Sequence, residues 1–123
     1  MDIEKQINDK YTNAIKDITN FVKEKLVGKY FCINRGYQWN NKKEVKAYGL
    51  ITDAKFYTSS ESMTCSVYNM ILIKYKRKVK KDTYVDRELR YTIEFWHYNN
   101  DKGIILFDDE NSMKLYQELN KEE

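Results

Sequence analysis

The chain has 123 residues, with 22 lysines and arginines against 19 acids and a formal net charge of +3. A chain of that length is expected to fold as a single domain, residues 1–123, hiding roughly two-thirds of its unfolded surface without staples. Cys32 and Cys65 have no C-x-x-C spacing and the one histidine is His97, a set too sparse for a zinc site, so no metal and no cofactor are expected.

The longest apolar runs, Met70 to Ile73 and Ile104 to Phe107, are too short to cross a membrane. Asp2 and Glu4 stand where an export signal would be basic and then apolar. The expectation is a cytoplasmic protein with reduced thiols and no membrane partner. Lys, Asn, Ile and Tyr are abundant and Pro is absent, a bias toward A- and T-rich codons. The eleven tyrosines exceed what a core of this size wants, because each buried hydroxyl needs a partner, so some rings are expected on a recognition surface.

Residues 2 to about 26 place Ile3, Ile7, Ala14, Ile15, Ile18, Phe21, Val22 and Leu26 at three- and four-residue steps, the period of an amphipathic helix. Asp2 is its cap, and Gly28 ends it behind Lys23 and Lys25. The stripe is expected to cover the dry face of a sheet.

A short strand, Lys29 to Asn34, leads into a loop from Arg35 to Lys43 with no core periodicity. Val45 to about Thr58 is the next strand, and Gly49 with the misfit between its halves predicts a bulge. Thr58 to Ser62 is a polar turn.

Asn69 to Tyr98 is predicted to be a long hairpin turning near Asp82 and Thr83. Ile71, Ile73, Tyr75, Arg77 and Val79 hold one parity, while Leu72, Lys74, Lys76, Lys78 and Lys80 hold the other. The return strand alternates Leu89, Tyr91, Ile93 and Phe95 with Glu88, Arg90, Thr92, Glu94, Trp96 and Tyr98. Asn99 to Gly103 turns into a last strand ending at Phe107. Asp108 or Asp109 then caps a closing helix with Met113, Leu115, Tyr116 and Leu119 on one side. The sum is α+β: a long N-terminal helix packed on a curled antiparallel sheet of four or five strands, with a short C-terminal helix. Closure of the sheet into a small barrel is the rival arrangement.

Charge is uneven along the chain. Residues 1–27 balance, residues 28–81 hold twelve bases and three acids, and residues 82–123 hold five bases and eleven acids. Lys74, Lys76, Lys78 and Lys80 are therefore candidates for a contact surface that meets phosphates or an acidic protein. The competing reading is a solvated, edge-protecting face balanced by Glu88 and Glu94.

Arg35, Lys42 and Lys43 flank Tyr37 and Trp39, the combination that single-stranded nucleic acid or a protein hot spot uses. The alternative is that Trp39 folds onto the sheet edge. Trp96 and Tyr98 share the lysine parity and would extend the patch.

Catalysis has thinner support. Asp53, Ala54 and Lys55 form a D-x-K triplet of the kind metal-dependent nucleases use, with Glu44 upstream, but such triplets arise easily in a chain rich in lysine and acids. His97 has no nucleophile near it in sequence, and the four glycines stand alone rather than in a phosphate loop.

Leu26, Val27, Gly28, Lys29, Tyr30 and Phe31 at a helix end, then an aromatic loop and a strand beginning near Val45, resemble the opening of small β-rich domains in uncharacterised phage-encoded proteins of AT-rich hosts. The resemblance covers residues 26–75. It implies a phage or mobile-element origin, residence in the host cell cytoplasm and stoichiometric action on host machinery, and it brings no catalytic residues.

The expected function is thus that of a non-enzymatic binding protein. It engages a host protein or ribonucleoprotein, such as a defence nuclease, through the basic and aromatic face. Direct single-stranded nucleic-acid binding is the alternative, and a metal-dependent nuclease, a virion component or a homodimer remain further options.

Overall fold

The computed structural model describes residues 2–36, 43–61, 63, 66–93 and 103–119. Helix α1 (Ile3–Leu26) is followed by strands β1 (Tyr30–Gly36), β2 (Lys43–Glu61), β3 (Ser66–Lys80), β4 (Thr83–Ile93) and β5 (Ile104–Phe107), and by helix α2 (Glu110–Leu119). All pairings are antiparallel, and the strands lie in the order β4-β3-β2-β1-β5. The α+β architecture read from the sequence holds, with five strands. The curled or barrel-like sheet does not: among the described residues β4 and β5 are the two edge strands, and the sheet neither closes nor curls strongly.

Local chemistry accounts for the ends of α1. The Asp2 carboxylate accepts from the Lys5 amide at 3.2 Å, satisfying one of the donors that a helix start leaves free. Gly28 follows at φ +87° with nothing within 4 Å of where a Cβ would stand. The glycine is there for its conformation, the left-handed stop after a helix, and not for space.

Strand β2 organises the sheet because its two halves have different neighbours. Its first half pairs with β1, down to Tyr30 opposite Leu50. Its second half pairs with β3, from Glu61 opposite Ser66 to Leu50 opposite Lys76. Beyond Ile51 no described strand lies on the β1 side of β2, and α1 takes that place. The Thr19 hydroxyl donates to the Phe56 carbonyl at 3.3 Å, and the Tyr11 and Thr58 hydroxyls meet at 2.9 Å. A helix laid along an unpaired edge removes it as a template for foreign strands.

The predicted bulge in β2 is real, but the register breaks between Ile51 and Asp53 rather than at Gly49. As a result Ile51, Ala54 and Phe56 are buried on one face, while Tyr48 and Leu50 belong to the other. The extra residue shifts side-chain parity, so a single alternating set cannot run through the whole strand.

The core beneath α1 gathers Val22 and Leu26 with Phe31, Ile33, Ile51 and Ile73, and Phe31 meets Tyr75 edge to face with centroids 5.0 Å apart. The apolar stripe of α1 reaches this core only through its second half. Ile15, Val22 and Leu26 pack there, whereas Ile3, Ile7, Ile18 and Phe21 remain exposed. The stripe predicted to cover the sheet as a unit is two stripes about 100° apart, and only one faces the strands.

The opposite face is not wholly wet. Cys32 is fully buried there, with Tyr48 and Ile105 as its register partners. Phe107 packs against Tyr116 of α2, with ring centroids 5.5 Å apart, and Met113 is buried beside them. Asp109 is the cap of α2, accepting from the Ser112 amide at 2.7 Å. That bond holds the carboxyl of Asp109 below its usual range. Thus α1 and α2 cover opposite faces, and α2 stands at one end of the lysine face.

Candidate functional site

The hairpin register decides which of the lysines act together. Lys74 is opposite Glu88, Lys76 opposite Asp86 and Lys78 opposite Tyr84, so the first three share one face, as alternation requires. The register then shifts between Lys78 and Lys80, and Lys80 pairs with Thr83. Thr83 has the parity of Val85, not that of Tyr84, so the bulge takes Lys80 off the row. The expected row of four is a row of three with Lys80 at the hairpin tip. The tip itself is the pair Lys81 and Asp82, and Asp82 has φ +61°, a conformation that aspartate tolerates better than most residues.

Past Lys76, β3 is no longer paired with β2, and a cleft of about 450 Å3 opens between the hairpin end, the strands and α2. Among the described residues its cations are Lys76, Lys78 and Lys80 from the end of β3, Lys81 at the tip, and Lys114 on α2, and Glu110 is the one acid. Tyr30, Tyr48 and Tyr84 supply rings, and Leu50, Val79 and Met113 supply apolar surface. Arg77 stacks over Tyr48 with its guanidinium carbon 4.2 Å from the ring centroid, fixing the plane of that ring. The Glu110 carboxylate lies 3.2 Å from Lys114 one turn along α2 and 4.0 Å from Lys78 across the cleft.

The backbone at the mouth of the cleft is constrained. A Cβ on Gly49 would stand 2.4 Å from the Lys76 carbonyl oxygen, and the residue has φ +151°. Only glycine lets β2 approach β3 this closely where the two part.

Lys74 belongs to a different setting. It borders a hollow with Asp86, Arg87, Glu88 and Thr52, where the two acids offset the cations. Of the other predicted site residues, Arg35 is the next-to-last residue of β1 and Lys43 the first of β2, paired in register with Glu44 and Gly36. Arg35 and Lys43 are therefore strand residues and not part of a loop. Tyr37, Trp39, Lys42, Trp96 and Tyr98 lie outside the described residues, as do His97 and Cys65.

Asp53 sits at the β2 bulge, where its carboxylate accepts from Lys23 at 2.6 Å and from the Ala54 amide at 2.9 Å. The Lys23 hydrogen bond, with help from the Ala54 amide and the charge of Lys74, holds the Asp53 carboxyl below its usual range. Glu44 is far along β2 from it, paired with Arg35. Among the described residues no group of three His, Cys, Asp or Glu side chains converges as a metal site, and none of their helices is long and apolar enough to cross a membrane. Burial pushes the Cys32 thiol up to about 11, the setting of a packed thiol and not of a nucleophile.

The residues that the sequence does not single out are Tyr84, Lys81, Tyr48, Tyr30, Glu110 and Lys114. Tyr84 stands across from Lys78 only because of the bulge, since a regular two-residue turn at Lys81 and Asp82 would set it opposite Val79. Glu110 and Lys114 reach the cleft only through the packing of α2, which leaves no local signal. No family model, curated protein or solved structure matches the chain.

Proposed function

We propose that this is a non-enzymatic binding protein that acts stoichiometrically on a host protein or ribonucleoprotein by gripping an anionic part of it at the basic hairpin end. One observation carries the reading: four lysines of the hairpin end and one from α2 meet around one cleft, with a single acid among the described residues that line it. Lysines kept only for solubility repel one another and spread out, whereas convergence on a concavity raises the local potential for an incoming anion. The resemblance of residues 26–75 to small phage-encoded domains supports a phage or mobile-element origin, in which such a protein works on host machinery in the cytoplasm.

Replacing Lys76, Lys78 and Lys81 together by glutamate tests the proposal. Capture of the partner from host extract falls at least tenfold if the cleft is the contact surface, and binding of the wild type weakens steeply as salt rises. Undiminished capture by the triple variant would remove the proposal.

A further inference from the structure

The cleft holds more than charge, and the extra features narrow what it takes. An acidic peptide needs cations and hydrogen bonds. Its carboxylates make no use of the flat rings beside them or of the apolar surface of Leu50, Val79 and Met113. A nucleotide needs all three, because its phosphate seeks ammonium groups and its base seeks a ring face.

The volume of about 450 Å3 falls in the range of pockets that enclose one small organic ligand. A duplex presents its bases edge-on inside grooves, whereas a cleft flanked by a hairpin tip and a helix admits a base only when it is splayed out from a single strand. The rings are also differently prepared. Tyr48 has Arg77 over its ring, while Tyr84 is 55% exposed directly across the hairpin from Lys78, one ring fixed and one free to stack.

We infer that the cleft is a nucleotide-unit site for single-stranded nucleic acid, with a phosphate held among Lys78, Lys81 and Lys114 and the base laid against Tyr84. The inference rests on the proposed function and specifies its anion. Glu110 then has a definite part. With the site free it sits between Lys78 and Lys114, and an arriving phosphate must displace it from Lys78. Its carboxylate therefore opposes binding, the reverse of what the lysines around it do.

The experiment is fluorescence anisotropy of a labelled oligothymidylate of about ten nucleotides, a length suited to one small binding surface, on the whole chain and on three single variants. Lys78→Glu and Tyr84→Ala are each expected to weaken binding about tenfold, the second through lost stacking. Glu110→Gln is expected to strengthen binding about threefold by removing a competing charge. Polyglutamate of matched charge is expected to compete poorly. Tyr84 and Glu110 are at the surface, and coincident thermal unfolding curves verify that the fold is retained.

If Tyr84→Ala binds as well as the wild type, or polyglutamate competes equally, the nucleotide inference is overturned while an acidic partner at the same lysines still stands. If the wild type binds neither polymer, the nucleotide site and the proposed basic grip are both lost.

Discussion

The ammonium group of Lys23 lies 2.6 Å from Oδ1 of Asp53, tying the last turns of α1 to the bulge of β2. Both side chains are about half exposed, so the pair is worth on the order of 0.2–1 kcal/mol, typical of ion pairs that water still screens. A double-mutant cycle with Lys23→Ala and Asp53→Ala should return a coupling of that size. The carboxyl of Asp53 is shifted down, so its contribution is present above the unfolded-state value of about 3.9. It is lost as pH falls through the lower folded value. Urea unfolding should therefore separate Lys23→Ala from the wild type at about pH 7 and bring them together in strong acid. A gap that persists in acid would assign the effect to lost packing of the lysine stem.

The division of α1 into a covered and an uncovered stripe sets a contrast between Leu26 and Ile7. Leu26 is packed under the sheet, and Ile7 is 58% exposed. Truncation of a buried leucine removes its contacts and leaves a cavity, at about 2–5 kcal/mol, while the same truncation at a surface position stays within about 0.5 kcal/mol. Chemical unfolding of Leu26→Ala and Ile7→Ala should show that difference. Equal losses would mean that the first half of the helix is covered by something in solution.

Ile71, Ile73 and Tyr75 read as a dry face because alternation is intrinsic to a strand, and they are buried as that reading requires. Lys80 leaves its expected row because a bulge at Val79 adds one residue to one strand, and nothing in a run of lysines and valine marks it. In α1, Ala14, Ile18 and Phe21 form a helical repeat as regular as that of Ile15, Val22 and Leu26. Which set faces the strands depends on the packing angle, not on the repeat. The site follows the same rule. Lys76 and Lys78 are legible within one hairpin, whereas Glu110 joins them from a segment placed by Phe107 and Tyr116 in the tertiary fold.

Gly49 is the position where the fold and the cleft depend on one atom's absence. Gly49→Ala would set a Cβ against the Lys76 carbonyl oxygen in a backbone conformation unfavourable to alanine. Overpacking of this kind costs about 1–3 kcal/mol, and the strain adds to it. A thermal midpoint lower by about 5 °C or more is expected for a domain of this size. Because the obstructing atom is backbone, no neighbouring side chain can turn aside to relieve it. An unchanged midpoint would mean that β3 already stands further from β2 at Lys76.

Cys32 gives a readout of the face beneath α2. Its side chain is fully buried, and burial pushes its thiol up to about 11. At about pH 8 almost none of it is the reactive thiolate. In a Cys65→Ser background, a thiol reagent should label the folded protein only as fast as the chain opens, and label it at once in denaturant. The same shift makes the fold lose stability as pH rises from the unfolded-state value of about 8.5 through about 11, because the unfolded chain releases its proton first. Labelling should accelerate when Met113→Ala loosens the contact of α2 with the sheet, since Met113 is buried on that face. Labelling of Cys32 in the folded Cys65→Ser protein as fast as a free thiol would place it in solvent and detach α2 from the wall of the cleft.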